Sequence, residues 1–194
     1  MIAILSRTFS ISCLVALYAC SASDETRAGD GRVEDDAAGS SSAMQADAAE
    51  VLPVTQQIAL IEERLAATNA RDWDRWEALH TPDAIRTAPE LEQPLRSAAA
   101  MRAAIEALSA AFPDYHLELE QAFGQGEWLA VRLHTAGTMT GPLMLSDGSE
   151  VPATGQSIDQ DWSALVRFDG DRVAEFHEFY DQLTLMVQLG LIAP

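Results

Sequence analysis

Residues 115–181 run in stretches whose apolar side chains recur at every second position, and this restricts the fold more than any other feature of the chain. A period of two marks pleated strands with one face buried. Tyr115, Leu117, Leu119, Gln121 and Phe123 form the first set, with His116, Glu118 and Glu120 opposite. Leu129, Val131, Leu133 and Thr135 form the second, with Trp128, Ala130, Arg132, His134 and Ala136 opposite. Ile158, Gln160, Trp162, Ala164, Val166 and Phe168 form the third, and VAEFHEFYD over 173–181 the fourth. Gly124-Gln125-Gly126 and Asp169-Gly170-Asp171 are turn signals, and a loop rich in Gly, Pro, Ser and Asp spans 140–155. Strands joined this way pair antiparallel in a meander.

Ahead of the strands the period becomes helical. Ile58, Leu60, Ile61, Leu65 and Thr68, interleaved with Gln57, Glu62, Glu63 and Arg64, predict an amphipathic helix from about residue 54 with its charged face in solvent and Thr55 as cap. DWDRWEALH predicts a shorter helix started by Asp72 or Asp74, with Trp73, Trp76 and Leu79 turned to the core. His80 stands before Thr81-Pro82, where a helix must end, and is placed either as a cap or at a pocket. Residues 84–87 predict a short strand. The alanine-rich stretch 97–111, with Met101, Ile105 and Leu108 on one stripe, predicts a helix that Phe112-Pro113-Asp114 terminates. After the fourth strand, LTLMVQLGLI places Leu183, Met186, Val187 and Gly190 at helical spacing. Helices on one side of an antiparallel sheet make an α+β domain.

Residues 1–19 read as a signal segment: one basic residue, Arg7, and an apolar run over 11–19 too short to span a bilayer. Leu17-Tyr18-Ala19-Cys20 resembles the lipobox of bacterial lipoproteins, which makes Cys20 the lipid attachment site. An ordinary signal cut near Ala19 or Ala22 is the alternative. On either reading the mature chain retains fewer than two cysteines, which excludes an internal disulfide and a thiolate metal centre. Residues 20–53 are acidic, small and polar, without an aromatic, as a disordered tether would be. The expected location is therefore outside the cytoplasm, on a membrane through lipid alone.

Twelve arginines and no lysine stand against 30 acidic residues, a formal net charge of -18. The missing lysine excludes Schiff-base catalysis, and the acidity argues against nucleic acid as partner. No GxSxG, P-loop or GxGxxG is present.

Phe112-Pro113-Asp114, Gly126-Glu127-Trp128-Leu129-Ala130-Val131-Arg132, Gly137-Thr138-Met139-Thr140-Gly141, Thr154-Gly155, Arg172-Val173-Ala174-Glu175 and Asp181 with Gln188-Leu189-Gly190 follow one another over most of 54–194. In this order and spacing they resemble the SnoaL-like polyketide cyclase (ester cyclase) group of the nuclear-transport-factor-2-like superfamily. The resemblance implies a cone-shaped domain around a pocket, frequent homodimers, and an intramolecular aldol closure without metal or organic cofactor. It also implies that Asp181, the aspartate before the QLG helix, is the acid/base, and that His177 is its neighbour at an enolate oxygen. Where the group often has histidine in the Gly-Thr turn, this chain has Met139, which removes a polar pocket contact.

The alternation places Glu175, His177, Phe179 and Asp181 on one strand face, so Asp181 and His177 are the catalytic candidates. Both are expected to look into a water-poor cavity. Position alone equally suits Asp181 to a helix N-cap. Trp128, His134, Trp162 and Phe179 are the candidate contacts for a small hydrophobic ligand. Arg132 is expected to pair across strands with Asp159 or Asp161 and His116 to lie at the surface. A metal held by His134, His177 and Asp181 has no familiar ligand spacing, so none is expected. The two functional readings are a cofactor-free enzyme acting on a hydrophobic carbonyl or cyclic compound, and a non-catalytic small-ligand-binding domain.

Overall fold

The computed structural model describes residues 51–145 and 148–193. The signal segment, Cys20 and the tether as far as residue 50 lie outside the described residues. Helix α1 (Val54–Ala70) starts where the apolar period starts, but Pro53 holds its N-cap position and Thr55 lies inside the helix, exposed. Proline suits this end, where an unbonded N–H is otherwise left over. Arg71 closes α1 in the left-handed region with φ 58. Helix α2 (Trp73–Ala78) is capped by the Asp72 side chain, which accepts from the Arg75 N–H at 3.2 Å. Helix α3 (Ala98–Ala111) begins at Ser97, whose hydroxyl accepts from the Ala100 N–H, and ends at Phe112.

Strand β1 (His80–Thr87) is longer than the sequence suggests and begins directly after α2. Strands β2 (His116–Gln125), β3 (Trp128–Thr138), β6 (Ser157–Asp169) and β7 (Arg172–Phe179) form the meander. The loop between β3 and β6 carries a ribbon of its own, β4 (Leu143–Met144) with β5 (Glu150–Val151). The main sheet has the order β1-β7-β6-β3-β2. Its pairs are antiparallel except β1 with β7, which is parallel, so the sheet is mixed rather than purely antiparallel. The chain reaches that edge from α2 and leaves it through α3, which no hairpin could do.

On the inner face Leu129, Val131 and Leu133 of β3 and Ala164, Val166 and Phe168 of β6 meet Ile61, Leu65, Trp76 and Met101 from the helices. This is the parity the alternation assigns. In β2 the parity changes partway, because the register shifts between Leu119 and Gln121. Beyond that bulge Ala122 packs against the core and Phe123 is 70% exposed. A bulge puts two residues opposite one, so the strand exchanges faces. Met139, at the turn where a polar contact is absent, is fully buried. Helix α4 (Gln182–Gln188) follows β7 and buries none of its residues; Gln188 ties it to β6 by accepting from the Asp159 N–H and donating to the Asp159 carbonyl. Among the described residues no helix is long and apolar enough to cross a membrane.

Candidate functional site

The structure keeps Glu175, His177 and Phe179 on one strand face but turns that face outward. Residues paired across strands share a face, and Glu175 pairs with Arg167, His177 with Leu165 and Phe179 with Ser163. Leu165 is 43% and Phe179 56% exposed, so this is the outer face. The inner face of β7 carries Phe176, opposite Val166, and Glu178, opposite Ala164. The fourth stretch misleads because both of its alternating sets hold a glutamate and a phenylalanine, so parity alone cannot choose between them.

Asp181 does not look inward. It is exposed at the N-cap of α4, where its oxygens accept from the Thr184 N–H at 3.0 Å and the Thr184 hydroxyl at 2.7 Å. These bonds hold its carboxyl below the usual aspartate range. His177 is on the outer face, with Nε2 at 2.8 Å from Glu175 Oε2, Nδ1 at 2.8 Å from Thr87 Oγ1, and the Trp128 ring stacked 6.1 Å away. Glu175 also accepts from Arg167 Nε at 2.7 Å; that bond first, then the one from His177, lowers its pKa. Of the four ligand-contact candidates, Trp128, His134 and Phe179 share the outer face, and only Trp162 is on the inner one.

His134 is bonded to Asp161 at 2.9 Å, which raises its pKa, and Asp161 also takes an ion pair from Arg132. Among the described residues Glu120, His134 and Asp161 are the group with ligand atoms close enough, within 4.8 Å, to share a cation. Arg132 occupies it, pairing with both carboxylates. His177 and Asp181 are not part of it. Two open surface grooves, of about 230 and 420 Å³, are lined by Leu52, Leu60 and Glu63 and by Asp74, His80 and Arg102, away from Asp181 and His177.

The inner face instead gathers a polar cluster in an aromatic setting. Arg64, on α1, is 5% exposed, and its guanidinium lies 4.1 Å from the Phe176 ring and 5.0 Å from the Trp76 ring. Its Nε–H donates to His80 Nε2 at 3.1 Å. His80 Nδ1 lies 2.8 Å from the Trp76 carbonyl, so the ring carries its proton on Nδ1 and caps α2. Burial, then the Arg64 charge, depresses His80 to a pKa of about 3. Burial also lowers Arg64, to about 10, against the pull of Glu178.

Next to them Arg86 holds Glu178 with two bonds of 2.7 Å and Glu90 with one of 2.8 Å. Burial pulls the Arg86 guanidinium down, but its carboxylate partners more than offset this. The Tyr180 hydroxyl donates to Glu90 at 2.6 Å, and burial followed by Glu90 raises its pKa. Burial pushes Tyr115 up to about 12. On β6, Gln160 Oε1 and Trp162 Nε1 are buried without a partner.

Sequence reasoning missed Arg64 because charged residues at helical spacing usually face solvent. The signal was there: Gln57, Ile61, Arg64, Leu65 and Thr68 recur at spacings of four, three, one and three, a single stripe, and all five are buried. Glu178 was legible only relative to Phe176, two residues before it.

The model of the SnoaL-like polyketide cyclase family matches residues 59–189, about two thirds of the chain. TsrD from Streptomyces laurentii is 26% identical, with 73% of this chain and 99% of that one covered and a TM-score of 0.62. AclR from Streptomyces galilaeus, a candidate hydroxylase, is 25% identical over 73% of this chain and 85% of its own, with a TM-score of 0.62. IdmH from Streptomyces antibioticus, a candidate polyketide cyclase, shares the fold at 24% identity over 70% and 99% of the two chains, TM-score 0.59. Among curated proteins none matches. The matched span takes in every strand of the main sheet and the Asp181-Gln182-Leu183 junction, and the chain belongs to the SnoaL-like polyketide cyclase family.

Proposed function

We propose that the domain performs cofactor-free acid/base chemistry on a small hydrophobic carbonyl-bearing or cyclic compound held against the inner face of the sheet. The observation that supports this best is the enclosed cluster of Arg64, Arg86, Glu178, Tyr180 and Trp162 among aromatic rings. Donors fixed in a dry interior stabilise an oxygen that gains negative charge far better than they would in water. In an aldol closure a carboxylate takes the proton alpha to a carbonyl, the enolate carbon attacks a second carbonyl, and the proton returns to the alkoxide. The family motif assigns the proton-carrying role to Asp181, one residue beyond Tyr180. His177 receives no step, since both of its ring nitrogens are engaged on the outer face.

One observation favours a second reading, in which the domain binds its ligand without turning it over. Asp181 is exposed and its pKa is lowered, whereas a proton carrier at neutral pH works best with its pKa raised. Asp181→Asn separates the two. Asparagine also caps helices, so the melting temperature should stay the same, and turnover of an aromatic polyketide-type keto ester should drop by about 100-fold or more. Full turnover in the variant would remove Asp181 from the mechanism. A wild-type protein that binds the ester without consuming it would establish the second reading.

We also propose an exported protein anchored through Cys20, and a homodimer formed through the outer face. The signal-like segment supports the first. Support for the second comes from a stripe across the sheet in which Phe123 adjoins Ala130 and Ala130 adjoins Leu165, flanked by exposed Trp128 and Phe179. Native mass spectrometry of the protein extracted from membranes reads both. A lipid-modified Cys20 terminus and a two-chain mass are expected; a free Ser21 or Ala22 terminus, or a single-chain mass, overturns the corresponding half.

A further inference from the structure

The outer face carries a hydrogen-bonded series that the aldol chemistry leaves unused. Thr87 on β1 is the register partner of His177 on β7, and Glu175 precedes His177 by two positions on the same face. Glu175 Oε2 lies 2.8 Å from His177 Nε2, and His177 Nδ1 lies 2.8 Å from Thr87 Oγ1. A carboxylate, an imidazole and a hydroxyl are thus joined by two short bonds. The backbone ladder already ties β1 to β7, so the second bond is not needed for that purpose.

Charge decides which way the protons point. Arg167 donates to the other Glu175 oxygen at 2.7 Å, and this bond, ahead of the one from His177, keeps the carboxyl below the usual glutamate range, so at neutral pH it has no proton to give. His177 Nε2 is therefore the donor to Glu175. In the neutral imidazole Nδ1 then keeps its lone pair, and the Thr87 hydroxyl donates to it. An imidazole placed this way can accept a hydroxyl proton while the carboxylate stabilises the imidazolium that forms.

The ring is held yet not sealed. Trp128 stacks on it at 6.1 Å with 23° between the planes, and Arg167 fixes the carboxylate that bonds to it. The side chains of His177 and Glu175 keep 23% and 24% of their exposure, and Thr87 is half-buried. Phe179, two residues beyond His177 on the same face, is 56% exposed. All three polar groups therefore stand at the surface beside an apolar ring.

We propose that Thr87, His177 and Glu175 form a second catalytic site, an acyl-transfer relay that hydrolyses small aryl esters on the outer face. Thr87 Oγ1 attacks the ester carbonyl carbon while its proton passes to His177 Nδ1; the bond from that carbon to the phenol oxygen breaks, and the departing oxygen takes the proton. Water then attacks the acyl-Thr87 carbonyl and gives its proton to Nδ1, which returns it to Thr87 as the acid leaves. Ester and water become acid and phenol. Phe179 seats the aryl group, and a phenol leaves with less help than an alkyl alcohol. Glu175 is a positioning residue, which holds the ring in the tautomer that leaves Nδ1 free to accept. The relay does not depend on the inner-face reading, since none of its members faces inward. It occupies β7 and β1, whereas the stripe offered to a second copy runs from Phe123 to Leu165 on β2, β3 and β6.

The test is hydrolysis of para-nitrophenyl acetate by the intact protein near neutral pH, read by nitrophenolate release and by mass spectrometry of acid-quenched protein. Wild type is expected to exceed the uncatalysed rate by about 100-fold, the worth of one positioned base, and to carry an acetyl group on Thr87. Thr87→Val, which keeps the branched shape that suits a strand, should lose both the rate and the adduct, and Thr87→Ser should restore both. Glu175→Gln should lower the maximal rate at least about tenfold with KM unchanged, a split that a merely structural contact would not produce. Wild-type protein without rate enhancement, or without acetyl on Thr87, overturns the proposal whatever the variants do. So does a rate that survives in Thr87→Val, and a full maximal rate in Glu175→Gln removes Glu175 from the relay and overturns it as drawn.

Discussion

Replacing Arg86 by methionine is expected to lower the free energy of unfolding by about 3–5 kcal/mol, the range for removing one partner of a buried ion pair. Arg86 and Glu178 retain 17% and 10% of their side-chain exposure, and the guanidinium spans both Glu178 oxygens at 2.7 Å. The pair also joins the first strand of the sheet to the last. Without Arg86 the Glu178 carboxylate stays in an aromatic interior with no ion-pair partner, and Arg64 acts on it only from a distance, so it must either take up a proton or draw water in. Urea unfolding followed by circular dichroism reads the loss. The double variant Arg86→Met/Glu178→Leu should recover most of it, because an apolar pair of similar volume removes the stranded charge. A loss below about 1 kcal/mol in the single variant, the value of a solvent-exposed pair, would show that water already reaches this cluster.

His80 is expected to make the fold weaken as the pH falls below neutrality. Its folded pKa of about 3 lies below the ordinary value of 6.5, so between those limits the unfolded chain holds a proton that the native state refuses. Stability therefore rises with pH across this window and is fully present above it. From pH 7 to pH 5 the change amounts to about 2 kcal/mol at 1.36 kcal/mol per pH unit. His134 acts in the opposite direction, since Asp161 raises its pKa, and protonation of surface carboxylates relieves repulsion in a chain of charge -18. The measurement is thus a comparison: chemical denaturation at pH 7 and pH 5 for wild type and for His80→Phe. The wild type should lose about 2 kcal/mol more over this interval than the variant. Equal losses would mean that His80 titrates freely and that water reaches Arg64.

The larger part of the architecture was legible in the chain because its periods are long. The inner sets of β3 and β6 occupy the face the alternation gives them, Ser97 and Asp72 cap the helices they precede, and Trp76 is buried. Three things escaped for separate physical reasons. Strand β1 contains Pro82 and pairs parallel, so neither its length nor its partner is written locally. The bulge in β2 reverses the parity of the residues after it, which no fixed period anticipates. In β7 the two alternating sets are nearly equal in character, and the choice between Glu175-His177 and Phe176-Glu178 is made by the neighbouring strand β6. The candidate site suffered most, since both catalytic candidates, His177 and Asp181, lay on that last strand and the corner after it. Asp181 itself was placed correctly along the chain, at the start of the closing helix, but its side chain satisfies that helix.

The parallel pairing of β1 with β7 also governs how the domain can be made. Arg86 meets Glu178 across 92 positions of sequence, and Phe176 reaches the core only with the same strand. A nascent chain that stops short of β7 has an open sheet edge, a stranded Arg86 guanidinium and no Phe176 ring over Arg64. Closure must therefore wait until β7 has been made, since contacts this remote in sequence form late and slowly. Such a delay keeps the polypeptide loose while its leading end is already outside the ribosome, which is the condition that threading through a narrow translocation pore demands.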